Sequence, residues 1–305
     1  MTDPWPLISR SLGLNNKVDQ YQPDNETDLA AAMNIFISPS GFAERAAGFL
    51  TLWPEWPCHS LFCENGIDAF MVQDRAADSA IMRINPDLSL TGIWAGLVKG
   101  AKISWFQRGT KTYYTNGHQN GVIENGVRSS WPDTTEHFGA PTSRVFYPAP
   151  VGNHIAYFGG CAWVAVGPDI YVSEYQSVGK YRLAGRRFSF GTDVLMVRPV
   201  KHGVWVANMK ETGFIARAEK FEAMEWIRKS TAPAHEWSDF HELADLSNTK
   251  YQVPGLSAIW SSNQGLCIGT PDGRLINTTE KRLNYPTGSS GATVVDNGIV
   301  INSVY

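Results

Sequence analysis

The chain has 305 residues, of which 43% are hydrophobic, 12% aromatic and 18% charged, and its formal net charge is −3. This composition excludes a disordered chain, since disorder requires low hydrophobicity and high charge, and it provides no general positive field for a polyanion. The 28 glycines and 11 tryptophans are typical of many short strands joined by tight turns, and a chain of this length can bury a core without disulfides.

The first 28 residues are polar and contain Pro4, Pro6 and Pro23 without a hydrophobic period. We therefore expect an extended N-terminal arm (1–28) followed by a single domain (29–305). The start lacks the features of a signal peptide, and no run approaches the roughly 18 apolar residues of a membrane helix. These patterns predict synthesis in a cytoplasm and no membrane segment.

A hairpin pattern recurs six times after the arm. In each copy two short apolar runs flank a turn that contains glycine, which is a strong local signal for a β-hairpin. The spacings between successive turn glycines, 33 to 62 residues, lie near the roughly 40–50 residues of a four-stranded propeller blade. The turn glycines are Gly66, Gly109, Gly160, Gly203, Gly265 and Gly298.

Each blade needs a second hairpin, and a candidate follows each of the first five copies, at 80–94, 121–131, 170–183, 214–227 and 274–285. Nothing comparable follows the sixth copy. Residues 34–50 have the pattern of a hairpin that turns at 38–41, and we expect them to complete the last blade. Joining both chain ends in one blade leaves no exposed sheet edge. The sequence thus predicts an all-β, six-bladed propeller closed by N-terminal and C-terminal strands.

Two insertions interrupt this rhythm, at 133–151 and 229–255. The second places Trp237, Phe240 and Leu243 near helical spacing. Insertions in repeat folds map to loops on one face, often the interacting face. We therefore expect both insertions to be exposed and to contact other proteins.

The sequence has no motif for nucleophilic, nucleotide or metal chemistry: it lacks a phosphate-binding loop, a G-x-S-x-G elbow and an H-E-x-x-H pair. His235 and His241 are spaced so that they do not share a helical face, and an exposed polar insertion is favoured over a metal site. We predict no catalytic residue, no metal and no cofactor. A propeller glycosidase or lyase remains an alternative, and it would require two acids and a basic residue at one mouth of the channel.

The cysteines and tryptophans are expected to divide between core and surface. Cys58, Cys63, Cys161 and Cys267 have no C-x-x-C spacing and are predicted to be small buried side chains. Tryptophans in predicted strands should pack between blades, namely Trp94, Trp105, Trp163, Trp205, Trp226 and Trp260. Those in linkers are predicted at the surface, where indoles bind proteins or sugars, namely Trp5, Trp53, Trp56, Trp131 and Trp237. A carbohydrate-binding or receptor-binding propeller is therefore a further alternative.

The region 11–50 carries a recognisable motif. It contains Gly13-Leu14-Asn15-Asn16, then an Ala32-x-Asn34 element that leads into a short apolar strand and a turn at Gly41. In these features the chain resembles a class of structural proteins of short-tailed bacteriophages. It departs from the class at residues 44–47, where a more basic run of arginines is expected.

The resemblance implies a non-enzymatic virion component, a tail nozzle or hub subunit with a propeller body. It implies a homo-oligomeric ring, a hexamer, that lies under the portal and adaptor and contacts other tail proteins. Phage DNA would pass through the ring during ejection without specific binding. The candidate assembly contacts are Trp5, Leu14, Asn15, Asn16, Trp53, Trp56, Trp131, Trp237 and Phe240.

Overall fold

The computed structural model describes most of the chain from residue 52 onwards and four short strands before it. The described residues are 13–14, 28–29, 35–37, 43–45, 52–64, 66, 68–132, 145–182, 185–217, 220–247, 252–279, 288–296 and 299–304. The fold is all-β, as predicted, and a single turn of 3-10 helix, Phe221–Ala223, is the only helix within these ranges. No helix in the described part of the chain is long and apolar enough to cross a bilayer.

The strands before residue 52 form two small sheets. β1 (Gly13–Leu14) pairs in parallel with β2 (Asp28–Leu29). β3 (Ile35–Ile37) pairs antiparallel with β4 (Ala43–Arg45). The second pair is the hairpin predicted at the start of the domain, and it is confirmed. The other residues of the predicted arm lie outside the described ranges.

Five four-stranded antiparallel sheets follow. The first contains β5 (Cys58–Phe62), β6 (Ala69–Asp74), β7 (Ser79–Ile84) and β8 (Leu90–Leu97). The second contains β9 (Ser104–Arg108), β10 (Lys111–Thr115), β11 (Asn120–Glu124) and β12 (Val127–Ser129). The third contains β13 (His154–Phe158), β14 (Cys161–Val166), β15 (Asp169–Val172) and β16 (Arg187–Ser189).

The later sheets continue this pattern. The fourth contains β17 (Val194–Val200), β18 (Gly203–Asn208), β19 (Thr212–Ala216) and β20 (Trp226–Ser230). The fifth contains β21 (Ala244–Asp245), β22 (Leu256–Ser262), β23 (Gly265–Gly269) and β24 (Leu275–Asn277). A final two-stranded sheet contains β25 (Gly291–Asp296) and β26 (Ile299–Val304).

The six predicted hairpins are all present, as β5–β6, β9–β10, β13–β14, β17–β18, β22–β23 and β25–β26. Gly109 and Gly160 adopt φ of 61° and 79° at two of the turns. A residue with a Cβ adopts this left-handed conformation only with strain. The turn chemistry that the sequence displays therefore fixes where each hairpin reverses.

Three of the five predicted second hairpins are confirmed, as β7–β8, β11–β12 and β19–β20. The prediction for the third sheet is wrong in its outer strand, because β16 begins at Arg187, beyond the predicted range 170–183. Part of the chain between β15 and β16 pairs with itself instead, since Ser173 forms a β-bridge with Tyr181. Tyr181 in this connection is completely buried and forms a β-bridge with Tyr147.

The fifth sheet obtains its fourth strand from an unexpected side. β24 lies within the predicted range 274–285, but the next stretch, 280–287, lies outside the described residues. β21 pairs with β22 at the edge opposite β23. Because β22 is the strand of this sheet that contacts β17 and β25, β21 lies on the side that faces the first strands of the other sheets.

Successive sheets pack through their first strands: β9 contacts β13, β13 contacts β17, β17 contacts β22 and β22 contacts β25. Large aromatic side chains fill the junctions, and the ring of Trp205 lies 5.3 Å from that of Trp260. Gly269 leaves room for both, since a Cβ there would lie 2.6 Å from atoms of either indole. Truncating a buried ring of this size costs about 3–5 kcal/mol. The predicted packing between sheets is thus confirmed for Trp105, Trp163, Trp205 and Trp260, all at most 3% exposed.

Two expectations about buried side chains are wrong. Trp94 is 38% exposed, and the guanidinium carbon of Arg128 lies 4.4 Å from its ring centroid. Because β8 is the outer strand of its sheet, its side chains meet solvent and only one neighbouring sheet. Cys58 is exposed at the start of β5, whereas Cys161 and Cys267 are buried as expected.

The predicted closure of a sixth blade is not seen in the described residues. β3–β4 and β25–β26 form separate two-stranded sheets. The described ranges therefore establish several four-stranded antiparallel sheets, and they contain neither a sixth such sheet nor a pairing between the two chain ends.

Candidate functional site

Residues 235–246, named here the central segment, run between the first strands of the sheets. The backbone N–H groups of His235 and Phe240 donate to carbonyls of β22 at 2.8 Å. The N–H of Gly291, the first residue of β25, donates to the carbonyl of Glu236 at 2.9 Å. The segment is therefore held between two sheets by main-chain hydrogen bonds.

Side chains of the central segment reach three further sheets. The ring centroid of Trp237 lies 4.4 Å from that of His154 in β13, and the ring of His241 lies 4.6 Å from Phe62 in β5. Arg198 of β17 forms an ion pair with the segment. A stretch that touches β5, β13, β17, β22 and β25 must lie where these strands converge, so it occupies the middle of the fold.

The predicted helical turn over this stretch, and the predicted exposure of the insertion, are both wrong here. Trp237 has φ of 63°, which is incompatible with a right-handed helix. The backbone donors already have partners in neighbouring strands, so they are not available for helical bonds. His235 is 2% exposed and Ser238 is fully buried. The helical spacing of the apolar residues therefore gave a wrong prediction, because pairing with neighbouring strands decides the local structure.

Ser238 fixes the position of the central segment. Its hydroxyl donates to the carbonyl of His235 at 2.6 Å and accepts from the backbone N–H of Ser261 at 3.2 Å. The hydroxyl of Thr293 donates to the Ser238 carbonyl. Buried polar groups are costly unless they are hydrogen-bonded, and these bonds also specify one register for the segment.

Arg198, Asp239 and His241 form a buried charged cluster. Arg198 Nε donates to Asp239 Oδ2 at 2.9 Å, Nη2 donates to the same oxygen, and Nη1 donates to the backbone carbonyl of His241 at 2.9 Å. Nη1 also lies 3.3 Å from His241 Nδ1. Because a guanidinium can only donate, Nδ1 must accept, which places the imidazole proton on Nε2.

The pKa values of Asp239 and His241 are both lowered. Burial alone raises the pKa of Asp239, but the Arg198 guanidinium, with smaller contributions from His154 and His241, holds that pKa below its ordinary value. Burial, reinforced by the nearby Arg198 charge and only partly opposed by Asp239, lowers the pKa of His241 to about 3. The cluster at neutral pH is therefore one cation, one anion and one neutral imidazole.

Two cavities lie beside the central segment, and Trp105, Arg198 and His241 line both of them. One has a volume of about 360 Å³ and contains Glu64 and Glu242 in its lining. The other has a volume of about 410 Å³. Its lining includes the charged or titratable groups His59, Lys102, His154, Asp239 and Glu242.

The smaller cavity brings together two acids and a basic residue, the composition that the glycosidase or lyase alternative requires. Glu64 Oε2 accepts the backbone N–H of Gln107 at 3.0 Å. Burial raises the pKa of Glu64, and repulsion from Glu242 adds to this, while the Gln107 bond and the Arg198 charge oppose it. A carboxyl with a raised pKa keeps its proton to higher pH than an ordinary one, as a general acid requires. Arg198 already holds Asp239, however, so its charge is shared.

The residues considered for a metal site have other partners. His235 Nδ1 lies 3.1 Å from Ser261 Oγ, and its Nε2 lies 2.7 Å from Asn263 Oδ1. His241 is engaged by Arg198. Across the residues that the structure describes, no group of three or more His, Cys, Asp or Glu side chains is arranged to hold a metal ion.

The candidate assembly contacts fall in different environments. Trp56 is 39% exposed, and Trp53 is half-buried with its indole N–H donating to the Leu88 carbonyl at 3.2 Å. Trp131 is 7% exposed and donates to the Val178 carbonyl at 2.7 Å, so its predicted surface position is wrong. It packs there against aromatic side chains of β9 and β10, which compete successfully with solvent for its ring.

Two other candidates, Trp237 and Phe240, are half-buried in the central segment. Their surroundings are the first strands rather than an outer surface. Leu14 lies in β1, and Trp5, Asn15 and Asn16 lie outside the described residues. The structure thus leaves Trp56 as the linker tryptophan most open to solvent within the described ranges.

Sequence reasoning missed Arg198, the residue on which the cluster depends. It stands in the otherwise apolar strand Val-Leu-Met-Val-Arg-Pro-Val. A charge in such a strand requires a partner when the strand is buried, and Asp239 in the adjacent insertion is an available acid. That combination was the signal that could have identified the pair.

Comparisons with known proteins bear on the fold alone. No family model matches the sequence, and no curated protein is significantly similar to it. Among solved structures, the extracellular domain of a protein described as a one component system of B. thetaiotaomicron is similar, with a TM-score of 0.51 and 10% identity over 82% of this chain and 31% of that chain. This chain thus spans about a third of the length of that solved chain.

Two further likenesses are weaker. Virginiamycin B lyase from Staphylococcus aureus gives a TM-score of 0.48 and 10% identity over 89% of this chain and 85% of that chain. An auxiliary nutrient binding protein from Bacteroides thetaiotaomicron gives 0.43 and 10%, over 70% and 54%. Taken with the four-stranded sheets, the first likeness indicates a propeller-like fold.

Replacing Asp239 by asparagine should strongly destabilise the protein. The substitution keeps the side-chain shape but leaves Arg198 buried without a counter-ion, which costs about 3 kcal/mol or more. Denaturant unfolding would measure this loss. Asp78→Asn is the matched control, because Asp78 pairs with Arg75 at 2.6 Å on the surface, where ion pairs contribute little. Equal stability of the two variants would contradict a stabilising role for the central ion pair.

Replacing His241 by glutamine should reduce the loss of stability on acidification. In the folded protein the pKa of His241 is about 3, against 6.5 for an ordinary histidine. The unfolded chain therefore binds an extra proton as pH falls from 6.5 towards 3, and the wild type loses about 1.4 kcal/mol per pH unit from this group. A glutamine at this position does not titrate, so unfolding free energies measured across this window should show a shallower slope. Parallel slopes would contradict the buried neutral imidazole.

Proposed function

We propose that the chain is a non-enzymatic structural subunit of the short tail of a bacteriophage, a nozzle or hub protein. The observation that carries the proposal is the motif over residues 11–50, which resembles that class of virion proteins. The backbone arrangement of the motif supports it: Gly13-Leu14 pairs with residues 28–29, and Ile35 pairs with Arg45 across the hairpin that the motif encodes. The protein is then made in the host cytoplasm and located in the virion tail.

The proposed body is a six-bladed propeller closed by its two chain ends. β25–β26 supplies the inner half of the sixth blade, and β3–β4 supplies the outer half. The contact between β22 and β25 supports this, since it continues the series of neighbouring first strands into the last hairpin. Within the described residues, each of these two hairpins is without the partner strands that an isolated hairpin needs for stability in water.

The proposed subunit assembles into a homo-oligomeric ring, a hexamer, beneath the portal and adaptor. Because the central segment occupies the middle of each subunit, DNA would pass through the lumen between subunits rather than through the propeller itself. The net charge of −3 favours passage of DNA without tight binding.

A second candidate, cleavage of a saccharide, is favoured by one specific observation. Glu64 and Glu242 line the same cavity as Arg198, and burial raises the pKa of the first acid. Glycoside hydrolysis uses one carboxyl as an acid and another as a base or nucleophile. Carbohydrate or receptor binding is the corresponding non-catalytic reading of that cavity and of the exposed Trp56.

Deleting residues 34–50 should destroy the last blade if the chain ends close the ring. The deletion removes the outer half of the sixth blade and exposes the edge of β26, so the sharp unfolding transition should become broad and shift to lower temperature. Calorimetry of the deleted and intact chains would measure this. A deleted chain that melts like the intact one would show that closure does not involve these residues.

The tail role predicts that the protein is present in phage particles. An antibody against the recombinant chain, viewed by electron microscopy on purified particles, should label the tail in several copies. Mass spectrometry of the same particles provides an independent reading. Absence by both methods would contradict the proposal and would favour the second candidate, which saccharide hydrolysis assays with Glu64→Gln as the matched control would then examine.

A further inference from the structure

A cavity of about 540 Å³ lies apart from the central segment, where the third sheet meets the connection from β19 to β20. We name it the basic cleft and define it by six of its lining residues, Trp163, Tyr175, Arg186, Arg217, Lys220 and Phe221. The cleft combines an aromatic floor with a positively charged rim, a composition that none of the functions discussed so far uses.

Trp163 and Phe221 contribute aromatic rings to the lining of the basic cleft, which we call its floor, and Phe188 lies outside the lining between them. Trp163 stacks on Phe188 with centroids 5.6 Å apart, and Phe188 lies 5.0 Å from Phe221. Tyr175 stands at the edge of the cleft and is 63% exposed. An exposed tyrosine beside a ring-lined floor is favourable for binding an aromatic or apolar side chain, because both surfaces lose contact with water.

The positive charge of the rim is only partly compensated. Arg182 and Arg186 both pair with the one carboxylate of Glu174, and Arg186 Nε has no hydrogen-bond partner among the described residues. Arg217 and Lys220 are exposed, and the structure records no hydrogen bond or ion pair from their side chains to a described residue. Glu222 is the acid in the lining, and Glu219 lies outside the described residues.

The N-terminal arm contains a segment of complementary chemistry. Residues 21–27 read Tyr-Gln-Pro-Asp-Asn-Glu-Thr, with one aromatic side chain, two acids and no basic residue. Pro23 favours an extended backbone for itself and for Gln22. An extended acidic segment that begins with an aromatic residue matches a cleft whose floor is aromatic and whose rim is basic.

We propose that the basic cleft binds residues 21–27 of a second copy of this chain. The inference rests on the proposed function, since a ring requires a head-to-tail contact between unlike surfaces of neighbouring subunits. Tyr21 packs on the aromatic floor beside Tyr175, while Asp24 and Glu26 pair with Arg217 and Lys220. Each subunit donates its arm to one neighbour and receives the arm of the other.

Charge reversal tests this contact in the full-length chain. The cleft variant carries Arg217→Glu and Lys220→Glu, and the arm variant carries Asp24→Lys and Glu26→Lys. Sedimentation velocity should show assemblies for the wild type and monomers for either variant alone, because like charges then face each other. An equimolar mixture should reassemble, since the reversed cleft accepts the reversed arm and the unchanged cleft accepts the unchanged arm.

A peptide of residues 15–28 provides a second measurement that does not depend on assembly. Fluorescence anisotropy should show binding to the arm variant, at least about tenfold weaker binding to the cleft variant, and weakening with added salt. Circular dichroism melts matching the wild type would establish that both variants fold, as expected for exposed substitutions.

Other outcomes would overturn the inference or would separate it from the tail role. Assembly of both variants at wild-type levels, or a mixture that stays monomeric, would overturn the inference. A third outcome is that the wild type is monomeric and does not bind the peptide, whereas the arm variant does bind it. Each arm would then occupy the cleft of its own chain, which would overturn the second copy as the occupant. If these contacts are absent but the protein is present in particles, the cleft inference fails and the tail role stands. If the peptide binds but the protein is absent from particles, the cleft contact stands and the tail role fails.

Discussion

The central charge of Arg198 is the constraint that organises the middle of this fold. A guanidinium 13% exposed in a strand between apolar neighbours is tolerated only with a counter-ion and hydrogen-bond acceptors. The counter-ion and the acceptors come from residues 235–246, which belong to an insertion and lie where the first strands converge. The ion pair to Asp239 then determines where Trp237 and His241 lie, and hence the shapes of the two cavities beside them.

The polar groups at the centre of this fold are of two kinds, those that are paired internally and those that line a cavity. Polar groups lie at the centre of this fold, where side chains from several sheets converge. Here much of that polarity is satisfied internally, by Arg198 with Asp239 and by Ser238 with its backbone neighbours, while Glu64 and Glu242 remain at the lining of a cavity. The centre therefore combines polar groups that are paired internally with two acids that line a cavity.

The hairpins could be predicted from sequence because each depends on residues close together in the chain. A glycine that adopts positive φ, as at Gly109, and alternating apolar runs beside it are local properties. The outer strand of the third sheet could not be predicted, since its position depends on Tyr181 finding a buried site and a bridge to Tyr147, more than thirty residues earlier. The fourth strand of the fifth sheet could not be predicted either, because β21 comes from the insertion before β22 rather than from the hairpin predicted after β23.

The candidate site was less predictable than the fold. Trp237 and Phe240 lie near helical spacing, which predicts an exposed helix. The backbone of the central segment instead forms hydrogen bonds with β22 and β25. The position of Trp131 in a linker predicts a surface residue, but its ring packs in the aromatic cluster of the second and third sheets. Contacts between distant residues decided each case.

The central segment also has a consequence for how the chain acquires its structure. Repeat proteins usually fold by local steps, since each repeat contacts only its neighbours in sequence. Here the ring of His241 packs on Phe62, which lies in the first sheet, so the first sheet cannot complete its environment until the fifth has been synthesised. Such long-range contacts slow folding because a large loop must close first. The sheets can form in order of synthesis, but the centre must be assembled last.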